Sequence, residues 1–155
     1  MSEHDLASML QALPKEGSDW QQDLDVVVVP LSLDQFWDAF WSDDAPYYLP
    51  ARPRDPEDKL LGYTSWGEPS AGFETAFGKP VIEERIFDQN LKIDSKFASQ
   101  VHSVQHLSLV ERSDTKITIK ATNVNDGAPY VEDFQTWLKW EFLTPDPRSN
   151  QVAIR

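Results

Sequence analysis

In the stretch PLSLDQFWDAFWSDDAPYY, residues 30–48, apolar side chains fall at Leu33, Phe36, Trp37, Phe40 and Trp41. This i, i+3, i+4, i+7, i+8 spacing lines five large groups along one face of an α-helix and predicts a helix that must be covered by something else. Its ends are written locally. Ser32 is placed to cap the free amides, Gln35 completes a capping box three residues on, and Leu31 is placed to staple against Phe36. A stop is expected near Asp43, with Pro46 forbidding continuation. Burying all five side chains contributes on the order of 10 kcal/mol of gross hydrophobic free energy. No other stretch is so concentrated.

The surface for that helix comes from strands. LDVVVVP, starting at Leu24, is β-branched and bounded by Pro30, so a strand feeds directly into the helix. A Pro-rich passage over 46–56 reads as an extended loop, and 60–66 as a short strand before a Gly- and Pro-containing turn region. Residues 100–111 and 115–124 flank the polar break Arg112-Ser113-Asp114 and predict a hairpin with Leu107 and Leu109 facing Ile117 and Ile119. Residues 133–143 alternate, with Phe134, Thr136, Leu138, Trp140 and Phe142 on one face. Gln135, Trp137, Lys139, Glu141 and Leu143 fall on the other, which is expected to meet mostly water. A last strand is expected over 151–155. The fold class is therefore α+β, an antiparallel sheet with one short aromatic helix.

The chain has 155 residues, enough for one domain with a single core. Residues 1–20 read as an appendage: an amphipathic helix over 2–13 with Leu6, Met9, Leu10 and Leu13 on one side, Pro14 as its stop, and a linker. Residues 21–155 form the domain proper. A net charge of −12 argues against nucleic-acid binding, which needs clustered cations, and against unaided adsorption to an anionic membrane. Without cysteine there is no disulfide framework and no zinc ribbon. No run approaches the ~20 apolar residues of a membrane span.

Catalytic constellations fail on geometry. His102 and His106 share one predicted strand about 13 Å apart, too far to hold one metal. Glu83 and Glu84 point to opposite faces of a strand, and Asp43-Asp44 reads as a solvated turn. No nucleophile elbow, P-loop or dinucleotide fingerprint occurs. We expect no enzyme activity, no cofactor and no metal site.

The passage VVPLSLDQFWDAFWSDDAPYY resembles the opening of VASt domains, the StART-like modules of the Lam and Aster sterol-transport proteins. A second match, APYVEDF at residues 128–134, is similar to the family's Val-Pro-Tyr-Gly-Asp-Tyr-Phe segment, and leads into a strand bearing Trp137, Lys139 and Trp140. Trp66 falls where the family has a Trp in its second strand. The resemblance covers about residues 24–155. It implies a helix-grip fold, in which a curved antiparallel sheet surrounds an apolar cavity for one lipid, usually a sterol. By facing, the candidate wall residues are Phe36, Phe40, Trp66, Leu107, Leu109, Ile117, Ile119, Leu138 and Trp140, which as residues alone are equally a plain core.

By position in the family, a lid loop over 89–99 would carry Leu91, Lys92 and Lys96. This stretch lacks the Gly and Pro usual there. The family's closing C-terminal helix also has no counterpart before Arg155, so the expectation is truncation, or a protein partner supplying the helix, or a domain that does not hold lipid. Implied partners are a lipid (sterol) ligand and membrane contact that is only transient or made through a partner, with a cytoplasmic location at membrane contact sites. The alternative is a structural or protein-interaction subunit using the same fold to dock on a partner.

Overall fold

A computed structural model describes residues 25–48, 55–129 and 136–155. The expected N-terminal helix and linker, most of the Pro-rich loop, and Tyr130 to Phe134 of the second family match lie outside the described residues. Strand β1 (Val27–Val29) is followed directly by helix α1 (Leu33–Phe40). Then come β2 (Lys59–Tyr63), the two-residue strands β3 (Thr75–Ala76) and β4 (Lys79–Pro80), and the long strands β5 (Glu83–Lys92), β6 (Gln100–Arg112) and β7 (Lys116–Asp126). β8 (Thr136–Leu143) and β9 (Val152–Ile154) complete the described chain.

The capping box forms as its residues dictate. The amide of Gln35 donates to Ser32 Oγ at 3.1 Å, and the Ser32 amide donates to Gln35 Oε1 at 3.0 Å. The helix ends at Phe40, earlier than its apolar stripe, because the amides of both Trp41 and Ser42 converge on the Trp37 carbonyl at 2.9 Å. Trp41 remains buried as the cap residue, so the fifth side chain of the stripe is gripped just past the helix end.

Seven strands form one antiparallel sheet in the order β1-β9-β8-β7-β6-β5-β2. The hairpin register pairs Leu109 with Ile119 and Leu107 with Ala121, and β8 places Trp140 opposite Ile119. Helix α1 covers the face carrying these residues. The Phe36 ring lies 4.8 Å from Phe142, and Trp41 lies 5.4 Å from Phe142 and 6.3 Å from Trp140. Phe36, Leu107, Leu109, Ile117, Ile119 and Phe142 are buried in one cluster with these rings.

The opposite face is not mostly water, contrary to the alternation of β8. Residues Glu84, Ser108, Lys120 and Lys139 form one cross-strand row on it, and Lys120 is only 1% exposed. The segment carrying β3 and β4 lies over this row. Ser70 Oγ donates to Glu84 Oε1 at 2.6 Å, Phe73 stacks on His106 at 3.8 Å, and the Phe77 ring receives the Lys120 ammonium at 5.3 Å. Phe77 takes φ +54 at the turn between β3 and β4, followed by Gly78 at +82, and this left-handed pair reverses the chain tightly enough for the hairpin. Further along this face, Lys139 Nζ at 2.7 Å and Arg155 Nη2 at 2.8 Å meet Glu141. Burial pushes the Glu141 carboxyl up, but these two cations outweigh it and hold it below the ordinary value.

The expected lid also starts later. Residues 89–92 remain in β5, with Leu91 opposite Val101 and Lys92 opposite Gln100, so Leu91 and Lys92 are strand residues. Lys92 is fixed by Glu57 at 2.9 Å and its amide donates to Asp58 Oδ1. The connection proper is 93–99, holding Lys96 beside the exposed Phe97.

Near this end, His102 joins three strands, with Nε2 2.5 Å from Asp88 Oδ1 on β5 and Nδ1 3.1 Å from Asp126 Oδ1 on β7. The Asp88 hydrogen bond first, and then that of Asp126, raise the imidazole above its ordinary value. A raised folded value contributes stability that is complete below the ordinary 6.5 and is lost as pH rises through the folded value. Wild-type resistance to urea is expected to fall as pH rises from the ordinary 6.5 through the raised folded value, by a step that His102→Gln removes. Parallel pH profiles for the two proteins would refute the clamp.

Candidate ligand-binding site

Strand parity puts Arg85 on the helix-covered face, in a row with Leu107, Ala121 and Leu138 and two residues from Phe87. A charge in that layer is costly unless hydrogen-bonded. The chain exiting α1 and the chain leaving β2 supply the acceptors: Nε donates to the Thr64 carbonyl at 2.7 Å, and Nη1 to the carbonyls of Trp41 and Ser42, each at 3.3 Å. Asp43 Oδ1 lies 4.0 Å from Nη1. The guanidinium carbon sits 4.0 Å from the Tyr48 ring centre and 5.1 Å from that of Tyr63. Arg85 thereby ties the helix exit to the sheet while remaining 1% exposed.

Above it opens a cleft of about 280 Å³. Arg85 and Tyr48 form its buried floor, while Asp43, Pro46, Tyr47 and Tyr63 form an exposed rim. Nη2 of Arg85 is the group left over. It makes no hydrogen bond to any described residue, and it is not among the polar atoms sealed from solvent. Burial pushes the Tyr48 hydroxyl well above its ordinary value, with Arg85 opposing only in part, so it stays protonated.

Among the described residues, four polar atoms on this side of the sheet are sealed from solvent without a hydrogen-bond partner: Trp41 Nε1, Tyr48 Oη, Ser103 Oγ and Asn123 Oδ1. Ser103 and Asn123 share the parity of Leu107 and Ala121, so they extend the helix-covered face beyond its aromatic part. Native proteins leave few such atoms, and each calls for a reason.

The nine residues expected as a cavity wall all belong to one cluster with α1. Phe36, Leu107, Leu109, Ile117 and Ile119 are fully buried, and Phe40, Trp66, Leu138 and Trp140 partly so. Trp66 stands beyond β2 rather than in it. Its indole Nε1 donates to the Trp41 carbonyl at 2.7 Å and its amide to Asp43 Oδ1 at 2.8 Å, which tethers the helix exit. Asp43 is thus more than a solvated turn residue. His106 Nδ1 lies 3.4 Å from Glu84 Oε2 on the far face, away from the cleft. Among the described residues no group of three or more metal-ligating side chains converges.

The sequence reading missed Arg85, Tyr48 and Tyr63. A strand arginine reads as solvent-facing; the available signal was its shared parity with Phe87.

Among the described residues, fold and site define an antiparallel α+β arrangement with one short helix and a buried arginine beneath an aromatic-rimmed cleft. No protein-family model matches the sequence, and no curated protein matches it. Among the described residues, no helix is long and apolar enough to cross a membrane.

Proposed function

We propose that this protein is a helix-grip domain that binds a lipid noncovalently, a sterol or a molecule of similar shape, between α1 and the sheet. The observation that carries the reading is the set of four polar atoms, unpartnered among the described residues, on a face that apart from Arg85 is mostly apolar and aromatic. A ligand that is mostly apolar, with one or two hydroxyl or carbonyl groups, matches that layer chemically. The strand order supports it. With the β3–β4 hairpin set aside, the first strand lies beside the last and the remaining strands run back in sequence to β2, as the grip topology requires. Because Tyr48 Oη is sealed, ligand entry requires the 41–48 segment to part from β5.

Binding of a fluorescent sterol to the full chain tests the reading. Saturable binding is expected, and Tyr48→Phe is expected to weaken it about threefold to tenfold by removing one hydrogen bond. The same variant should unfold no more easily than wild type, since it deletes a buried hydroxyl without a partner. Absence of saturable binding would sink the lipid reading. The docking-subunit reading would then take its place, supported by the exposed Leu60, Leu61 and Tyr63 on the edge strand β2.

A further inference from the structure

We infer that the cleft above Arg85 receives a carboxylate, so that the ligand of this domain is an amphipathic acid rather than a neutral lipid. The inference rests on the lipid reading for the apolar part of the ligand and on the cleft alone for its acidic end. Arg85 is a buried cation whose hydrogen bonds go to three neutral carbonyls. Its only carboxylate neighbour among the described residues, Asp43, stands at 4.0 Å and is half-exposed. Nη2 keeps both N–H groups for an acceptor arriving through the cleft. The two N–H groups on Nη2 diverge, and the donors parallel to them on Nε and Nη1 already serve carbonyls, so a carboxylate is held end-on, through one oxygen at Nη2, by a charge-assisted hydrogen bond.

The surroundings select against more highly charged anions. Asp43 on the rim and the net charge of −12 both repel a phosphate dianion, whereas a monoanion loses less and gains the same donors. The volume of about 280 Å³ admits a carboxyl group and a short stem, and the Tyr63 and Tyr47 rings on the rim give that stem flat apolar walls. A longer apolar body then has to pass Tyr48 toward the helix-covered face, which requires the same parting of 41–48 from β5.

The test compares three probes on the full chain by isothermal titration: cholanate, a steroid body ending in a carboxylate; methyl cholanate, its neutral ester; and benzoate, an acid small enough for the cleft alone. Cholanate is expected to bind at least about tenfold more tightly than its ester, the effect of one charged hydrogen-bonding pair. Arg85 side-chain NMR signals should shift with cholanate and with benzoate. Arg85→Gln, where circular dichroism shows it folded, should erase the preference for acid over ester; where it does not fold, the wild-type ratio decides. Equal affinity for acid and ester overturns the carboxylate inference and leaves the lipid reading standing. Binding of benzoate with shifts at Arg85, without binding of either steroid, upholds the carboxylate site and removes the lipid. If none of the three binds, both fall.

Discussion

Replacing Arg85 by Met should destabilise the protein by about 1–3 kcal/mol. The methionine fills much of the same volume but leaves the Thr64 carbonyl without a donor. The Trp41 and Ser42 carbonyls lose only their long 3.3 Å contacts, since each keeps a second donor, Trp66 Nε1 at 2.7 Å and the Ala45 amide at 3.1 Å. One orphaned buried acceptor costs about 1–3 kcal/mol. In urea, with a slope of about 1–3 kcal/mol per molar, the unfolding midpoint should drop by roughly 1 M. Arg85→Lys should recover only part of the loss, because a single ammonium cannot reach three diverging carbonyls. A drop worth less than about 1 kcal/mol for the methionine variant would mean that water replaces the guanidinium, and that the helix exit is not held by it.

The second large effect is at Phe36. Truncation to Ala should cost about 3–5 kcal/mol, the range for a buried aromatic whose site does not collapse. Collapse is resisted here because Phe40 and Phe142 flank the ring at 5.1 and 4.8 Å and are themselves held by the helix and by β8. Phe36→Leu should cost under about 1.5 kcal/mol. The pair also tells core from ligand wall. If Phe36 is only core, sterol will not raise the melting temperature of the Ala variant. If it borders a lipid site, ligand occupies the space and stabilises in proportion to RT ln(1 + [L]/Kd).

Much of the fold was legible because it is written in short-range patterns. The capping box of α1 needs only Ser32 and Gln35 three residues apart, and both reciprocal hydrogen bonds form. The hairpin of β6 and β7 follows from two alternating runs and a polar break, and the parity of β8 assigns Leu138, Trp140 and Phe142 to the helix-covered side. What was not legible depends on distant partners. Position in the resembled family assigns residues 89–92 to a loop, yet pairing with β6 holds them in strand. The face expected to meet water is covered because Ser70, Phe73 and Phe77, from a segment with only two-residue strands, find Glu84, His106 and Lys120. The cleft was not legible: Tyr48 and Tyr63 carry no periodic signal, and the parity of Arg85 with Phe87 points inward without showing the carbonyls of Trp41, Ser42 and Thr64, which only the fold brings around it.

The ladder between β1 and β9 pairs Val27 with Ile154, residues from opposite ends of the described chain. Contacts so distant in sequence form late, because the chain between them must already be ordered before their closure is favourable. During synthesis at roughly 5–20 residues per second, the aromatic helix that follows β1 is made on the order of ten seconds before β9 exists to close the sheet beside it. Throughout that interval Phe36, Trp37 and Trp41 lack their final enclosure, and the nascent chain presents the kind of surface that a ribosome-associated chaperone holds.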